Sequence, residues 1–260
     1  MLPLELPGHI LPPEFFNRDA QVVARALVGK VLCHLLDGVW LVARIIETEA
    51  YYRREKASHA SLGFTEKRRA LFMPPGTIYM YYARGGDSFN ISCRGQGNAV
   101  LIKAGIPWDQ APHADVMLSR MALLNPLPGK RPRPLAQLCS GQTLLCRSLG
   151  LRVPDWDQQT FDPARLVFRE TGENPKVLIR TTRLGIPPGR DGHLPYRFVD
   201  REFARFCTKN PLGGKAGDNH PVDFISASGR KLNHVPNEPV RPLSFLQSEP
   251  SSLKRPHFGW

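Results

Sequence analysis

Apolar and polar positions alternate along much of this chain, most densely between residues 44 and 104. Runs 31–36 and 39–50 are rich in β-forming residues and are joined by Asp37-Gly38, a dipeptide that favours a tight hairpin turn. Further runs follow at 76–82, 89–92 and 99–104, with a glycine-bearing turn at Gly85-Gly86-Asp87. Helical spacing is scarcer. Val22, Val23, Ala26 and Leu27 predict a short helix, with Asn17 or Asp19 as its N-cap and Gly29 as its stop. Two more helices are expected over 111–122, ended by Asn125-Pro126, and over 135–149, ended by Gly150. Short strands are expected at 166–168 and 177–179, and segments 183–186 and 195–198 flank a loop with Gly189 and Gly192. Residues 1–14 read as a lead-in segment, 52–70 as a long loop around Ser58-His59, and 211–260 as an irregular basic tail.

Side chains two apart on a strand share a face. That places Glu47, Glu49 and Tyr51 on one side of their strand, with Ile46, Thr48 and Ala50 on the other. By the same rule Tyr79 pairs with Tyr81, Asn90 with Ser92, and Leu101 with Lys103. A strand carboxylate can act as a general base toward water, but Glu47 and Glu49 could equally form ion pairs with the many Arg and Lys. Tyrosines on strands can stack on nucleobases, although most such residues pack against their neighbours. His59 and Asn90 carry little information singly.

Charge narrows the field. A formal net charge of +12 over 260 residues favours a polyanionic partner, with a merely basic soluble enzyme as the alternative. Its five cysteines form no Cys-x-x-Cys pair, so neither zinc nor a disulfide framework is expected, and no cofactor is implied. No apolar run has the length of a membrane span, and no signal-like start is seen; an intracellular protein is expected.

In combination, several motifs are more specific. Glu47-Thr-Glu-Ala-Tyr51, Ala57-Ser-His59, Phe72-Met-Pro-Pro-Gly-Thr-Ile-Tyr-Met-Tyr81, Asn90-Ile-Ser92 and Leu138-Cys139 occur in the order found in the alkyladenine (3-methyladenine) DNA glycosylases. Between about residues 15 and 198 the sequence resembles that family. The resemblance implies an α+β fold: a single mixed domain over 15–210 with a central, mostly antiparallel curved sheet, a protruding β-hairpin and flanking helices. It also implies that a damaged base is flipped from duplex DNA into a pocket. Glu49 matches the general base, and Tyr51, His59 and Tyr81 match the walls that stack on the base. Asn90 matches the residue whose bulk disfavours the amino group of guanine. Tyr79, Tyr82, Arg84, Leu101 and Lys103 are the matching candidates for DNA contact. Arg84 stands where the family usually places a wedging tyrosine, with Tyr82 nearby, and Lys103 stands where an arginine is common. Lys67-Arg68 replaces the usual Arg-Asn pair.

The resulting expectation is a monomeric, monofunctional DNA repair glycosylase without cofactor or metal. It would release alkylated or deaminated purines from double-stranded DNA, in the nucleoid or cytoplasm of a bacterium or the nucleus of a eukaryote. Two rivals stay open: a non-catalytic nucleic-acid binder, and a nucleoside or sugar glycosidase using Glu47 and Glu49 as an acid and base pair.

Overall fold

In the computed structural model, which describes residues 6–83, 85–213 and 221–234, ten strands join in one sheet. They are β1 (His9–Ile10), β2 (Val31–Leu36), β3 (Val39–Tyr51), β4 (Ile78–Ala83), β5 (Gly86–Ser92) and β6 (Ala99–Pro107). Next come β7 (Leu166–Glu170), β8 (Leu178–Thr181), β9 (Arg197–Asp200) and β10 (Asp223–Ile225). The main order is β1-β7-β2-β3-β6-β5-β4, and β9, β8 and β10 extend from the far half of β3. Every ladder is antiparallel. With the helices on its faces this is an α+β architecture.

The thirteen-residue β3 organises the rest. Its first half pairs with β2 through a turn in which Asp37 (φ 49°) and Gly38 (φ 78°) are both left-handed, as the Asp-Gly signal requires. Its second half pairs with β9 on one edge and with β6 on the other. The β3–β6 register passes from Ile45↔Gly105 to Glu47↔Ala104 and then to Thr48↔Ile102. Ile46 and Lys103 thus stand in bulges, which re-aim side chains. The expected alternation fails there: Thr48 donates to Ala24 O and Ala50 joins the main core, but Ile46 packs in a second cluster with Ala104, Ile179 and Val199.

Helix α1 (Ala20–Leu27) starts where Asp19 accepts from Gln21 N at 2.9 Å. It buries Ala20, Val23, Ala24 and Leu27, the stripe of an amphipathic helix. Helix α2 (Ala114–Leu124) ends at Asn125. The stretch 135–149 is not one helix. Gly141 sits at φ 126°, so a 3₁₀ turn (Leu135–Gln137) is separated from α3 (Gln142–Leu149), which stops at left-handed Gly150. A short α4 (Val153–Trp156) follows. The long loop holds two 3₁₀ turns, His59–Leu62 and Glu66–Phe72, while 183–186 forms no strand. Both flanking segments join the sheet: β1 pairs with β7, and β10, inside the stretch expected to be irregular, pairs with β8. Residues 214–220 and 235–260 of that stretch lie outside the described residues.

Candidate active site

One row of the sheet builds the site. Register partners share a face, and the partners run Glu49↔Leu101 from β3 to β6, Leu101↔Asn90 to β5, and Asn90↔Tyr79 to β4. The row puts a carboxylate at one end and a phenol at the other. Above it opens a cleft of about 340 Å³, a size suited to a small organic group. Tyr51, His59, Tyr79 and Tyr81 wall the cleft, while Asn90, Leu101 and Lys103 form its floor. The turn His59–Leu62 and the loop around Leu184 to Arg190 close the remaining sides.

Glu49 is fully buried. Its Oε2 accepts from the Tyr51 hydroxyl at 2.7 Å and its Oε1 from the Leu184 amide at 3.0 Å, with Lys103 Nζ 3.6 Å away. Each carboxylate oxygen has two acceptor sites, so these contacts leave capacity for a water. Glu47 differs. It too is fully buried, so neither acid forms a surface ion pair. Its Oε1 accepts from Arg197 Nε at 2.6 Å, and its Oε2 from Thr208 N and Oγ1, both at 3.0 Å. Glu47 is committed to holding β9 and the segment after it.

The walls are braced from behind. The Arg183 guanidinium lies 4.6 Å from the Tyr51 ring centroid, pairs with buried Glu55 and donates to Ala50 O at 3.0 Å. Burial and the Glu49 carboxylate push the Tyr51 phenol well above its ordinary pKa, so it remains a donor. The Tyr79 hydroxyl is 2.9 Å from His59 Nδ1, and the His59 ring sits 4.6 Å from that of Tyr81. Burial, with Arg68 and Arg190 nearby, lowers the His59 pKa and keeps its imidazole neutral at pH 7. Burial raises the phenol of Tyr79, which can therefore donate to Nδ1 and leave the ring proton on Nε2. Asn90 Nδ2 donates to Tyr79 O at 3.1 Å, which fixes its side chain in the floor.

Of the residues singled out from sequence, Glu49, Tyr51, His59, Tyr79, Tyr81, Asn90, Leu101 and Lys103 come together here. Tyr79, Leu101 and Lys103, expected as DNA contacts, are buried within the cleft and not spread over a surface. Tyr82 points the other way, 69% exposed near the tip of the β4–β5 hairpin. Arg84 lies outside the described residues. Sequence reasoning missed Arg183, Leu184, Arg190 and Gln142, because each reaches the site through long-range packing and none lies in one of the family motifs. Among the described residues, no group of three or more His, Cys, Asp or Glu could hold a metal ion.

Residues 14–203 match the family model described as methylpurine-DNA glycosylase. The chain belongs to the methylpurine-DNA glycosylase family. The matched region includes every cleft residue and α3 but ends before β10. A Pseudomonas aeruginosa (strain LESB58) relative, named "Putative 3-methyladenine DNA glycosylase", is 61% identical over 202 residues, covering 78% of this chain and 84% of its own. The relative of the same name from Pseudomonas savastanoi pv. phaseolicola (strain 1448A / Race 6) is 60% identical over 202 residues, 78% of this chain and 91% of its own. "DNA-3-methyladenine glycosylase" of Mus musculus is 35% identical over 197 residues, 72% of this chain and 58% of its own. As a methylpurine-DNA glycosylase, the chain couples its family motifs to an aromatic cleft with the buried Glu49 beside it.

Proposed function

We propose that the cleft receives a damaged purine rotated out of duplex DNA, and that Glu49 activates the water that displaces it. The protein is a DNA repair glycosylase of the methylpurine family and hydrolyses the N-glycosidic bond in DNA. The observation that carries the finer reading is the sheet row that sets Glu49 beside the aromatic walls, with Tyr51 joining the two through its hydroxyl. An alkylated purine is cationic and electron-poor, and the faces of Tyr51 and Tyr81 hold such a ring better than a neutral base. Water then attacks the sugar C1′ and gives its proton to Glu49. The C1′–N bond breaks, its electron pair leaves with the base, and an abasic site remains. The cationic base departs neutral, so no strong acid is needed to protonate it. Glu49 also offsets the positive charge that develops on the sugar.

Asn90, held by Tyr79 O, crowds the side of the pocket where guanine carries its amino group. Alkylated purines fit this pocket best; deaminated purines, which lack the cationic charge, are the weaker substrates. The glycosidase rival has less support, since Arg197 and Thr208 occupy the second acid it would use. We place the catalytic domain at 15–210, the protein acting as a monomer with DNA inside the cell.

Glu49→Gln keeps the shape of the side chain but removes its ability to take a proton. Single-turnover release of 3-methyladenine is expected to fall at least about a hundredfold, with affinity for lesion DNA nearly unchanged. Near-normal release would remove Glu49 from the role of base.

A further inference from the structure

Lys103 lies nearer to Gln142 than to the Glu49 carboxylate. Its Nζ is 3.1 Å from Gln142 Oε1 and 3.6 Å from Glu49 Oε1. An ammonium only donates, so the amide oxygen of Gln142 must face it, and the amide nitrogen then faces Ser88. That nitrogen donates to Ser88 Oγ at 2.7 Å. Ser88 is fully buried on β5, opposite Tyr81, and Gln142 is the first residue of α3. A buried connection therefore runs Ser88–Gln142–Lys103–Glu49, from the hairpin through a helix to the acid.

Two features make this more than a helix fastening. Lys103 stands in a bulge of β6 that turns its side chain into the cleft floor. Its stem is flexible, and an ammonium this buried (5% exposed) needs oxygen partners. We propose that Gln142 is a positioning residue for the hydrolysis: it holds the Lys103 ammonium off Glu49, so that the carboxylate keeps an acceptor site open for the attacking water. The inference rests on the reading of Glu49 as general base. At the observed separation the positive charge still steadies the carboxylate through space. A close ammonium would instead occupy the oxygen and make it a poorer proton acceptor. Without the amide oxygen, Lys103 closes on Glu49.

The test is single-turnover excision of 3-methyladenine, with lesion-duplex affinity measured alongside. It compares wild type, Gln142→Met, Lys103→Met, the double variant and Glu49→Gln. Gln142→Met is expected to slow excision about tenfold, a fraction of what a general base supplies, at unchanged affinity. In the Lys103→Met background the same change should cost almost nothing, because the ammonium it restrains is gone. An equal loss in both backgrounds, or no loss in either, overturns the proposal. Gln142→Glu keeps an oxygen for Lys103 and should stay within about threefold of wild type; a tenfold loss would also overturn it, even if the Met variant did not fold. Unimpaired excision by Glu49→Gln would instead sink the reading of the acid, whatever the Gln142 variants do.

Discussion

Two glutamates two residues apart on β3 are both fully buried, yet their neighbours assign them different work. Glu47 binds Arg197 and Thr208, which come from a distant part of the chain, and Arg197 is itself buried. Glu47→Ala would leave that guanidinium unpaired, and breaking a buried pair costs about 3–5 kcal/mol. A large drop in melting temperature is expected, with any surviving folded protein still active; an unchanged melting curve would count against the structural assignment. Glu49→Gln should show the reverse pattern. Spacing alone could not separate the two acids, since what distinguishes them lies 150 residues away for Glu47 and 135 for Glu49. Glu49, Tyr51, Tyr79, Tyr81 and Asn90 were legible because they lie in family motifs on strands, and His59 because its motif opens a turn. Arg183 and Gln142 were not legible: a loop arginine and a helix-starting glutamine look like ordinary surface residues until the chain folds around them.

Among the elements, the β4–β5 hairpin has the clearest task. Helix α3 backs it: Arg147 donates to Gly85 O at 2.5 Å, and Gly86 lies so close to Thr143 that a Cβ there would come within 2.7 Å of Thr143 Cβ. Gly85 and Gly86 are thus held against α3, and Tyr82 is exposed on the strand before them. Filling the gap left by a rotated nucleotide requires such a side chain only when a partner strand is present. Tyr82→Ala should therefore lose about tenfold or more on duplex substrate, given an unstacking cost of a few kcal/mol, and little on single strands. Equal losses on both substrates would exclude a wedging role for Tyr82. The hairpin was readable from its glycines and alternating tyrosines. The break at Gly141 was not, because the apolar spacing on either side of it continues a helical pattern.

At the scale of the whole molecule, the +12 charge predicts a steep loss of DNA affinity with salt. The proline-rich basic loop over 126–134 can contribute to this only in part. Arg133 donates to Asn125 O and Pro126 O within its own loop, whereas Lys130 and Arg131 are exposed. Replacing Lys130 and Arg131 with alanine should lower the log–log salt slope by up to about two, and an unchanged slope would remove the loop from the DNA footprint. The small strand β10 has a consequence of another kind. It covers the outer side of β8, fastened there by the Arg180–Asp223 ion pair at 2.7 Å. A chain cut after Gly213 would leave the N–H and C=O groups of β8 without that cover, an invitation for a second molecule to add its own strand. Such a shortened protein is expected to keep the cleft intact while associating in a concentration-dependent way, visible by sedimentation. If it stays monomeric, β10 is dispensable as a guard against aggregation.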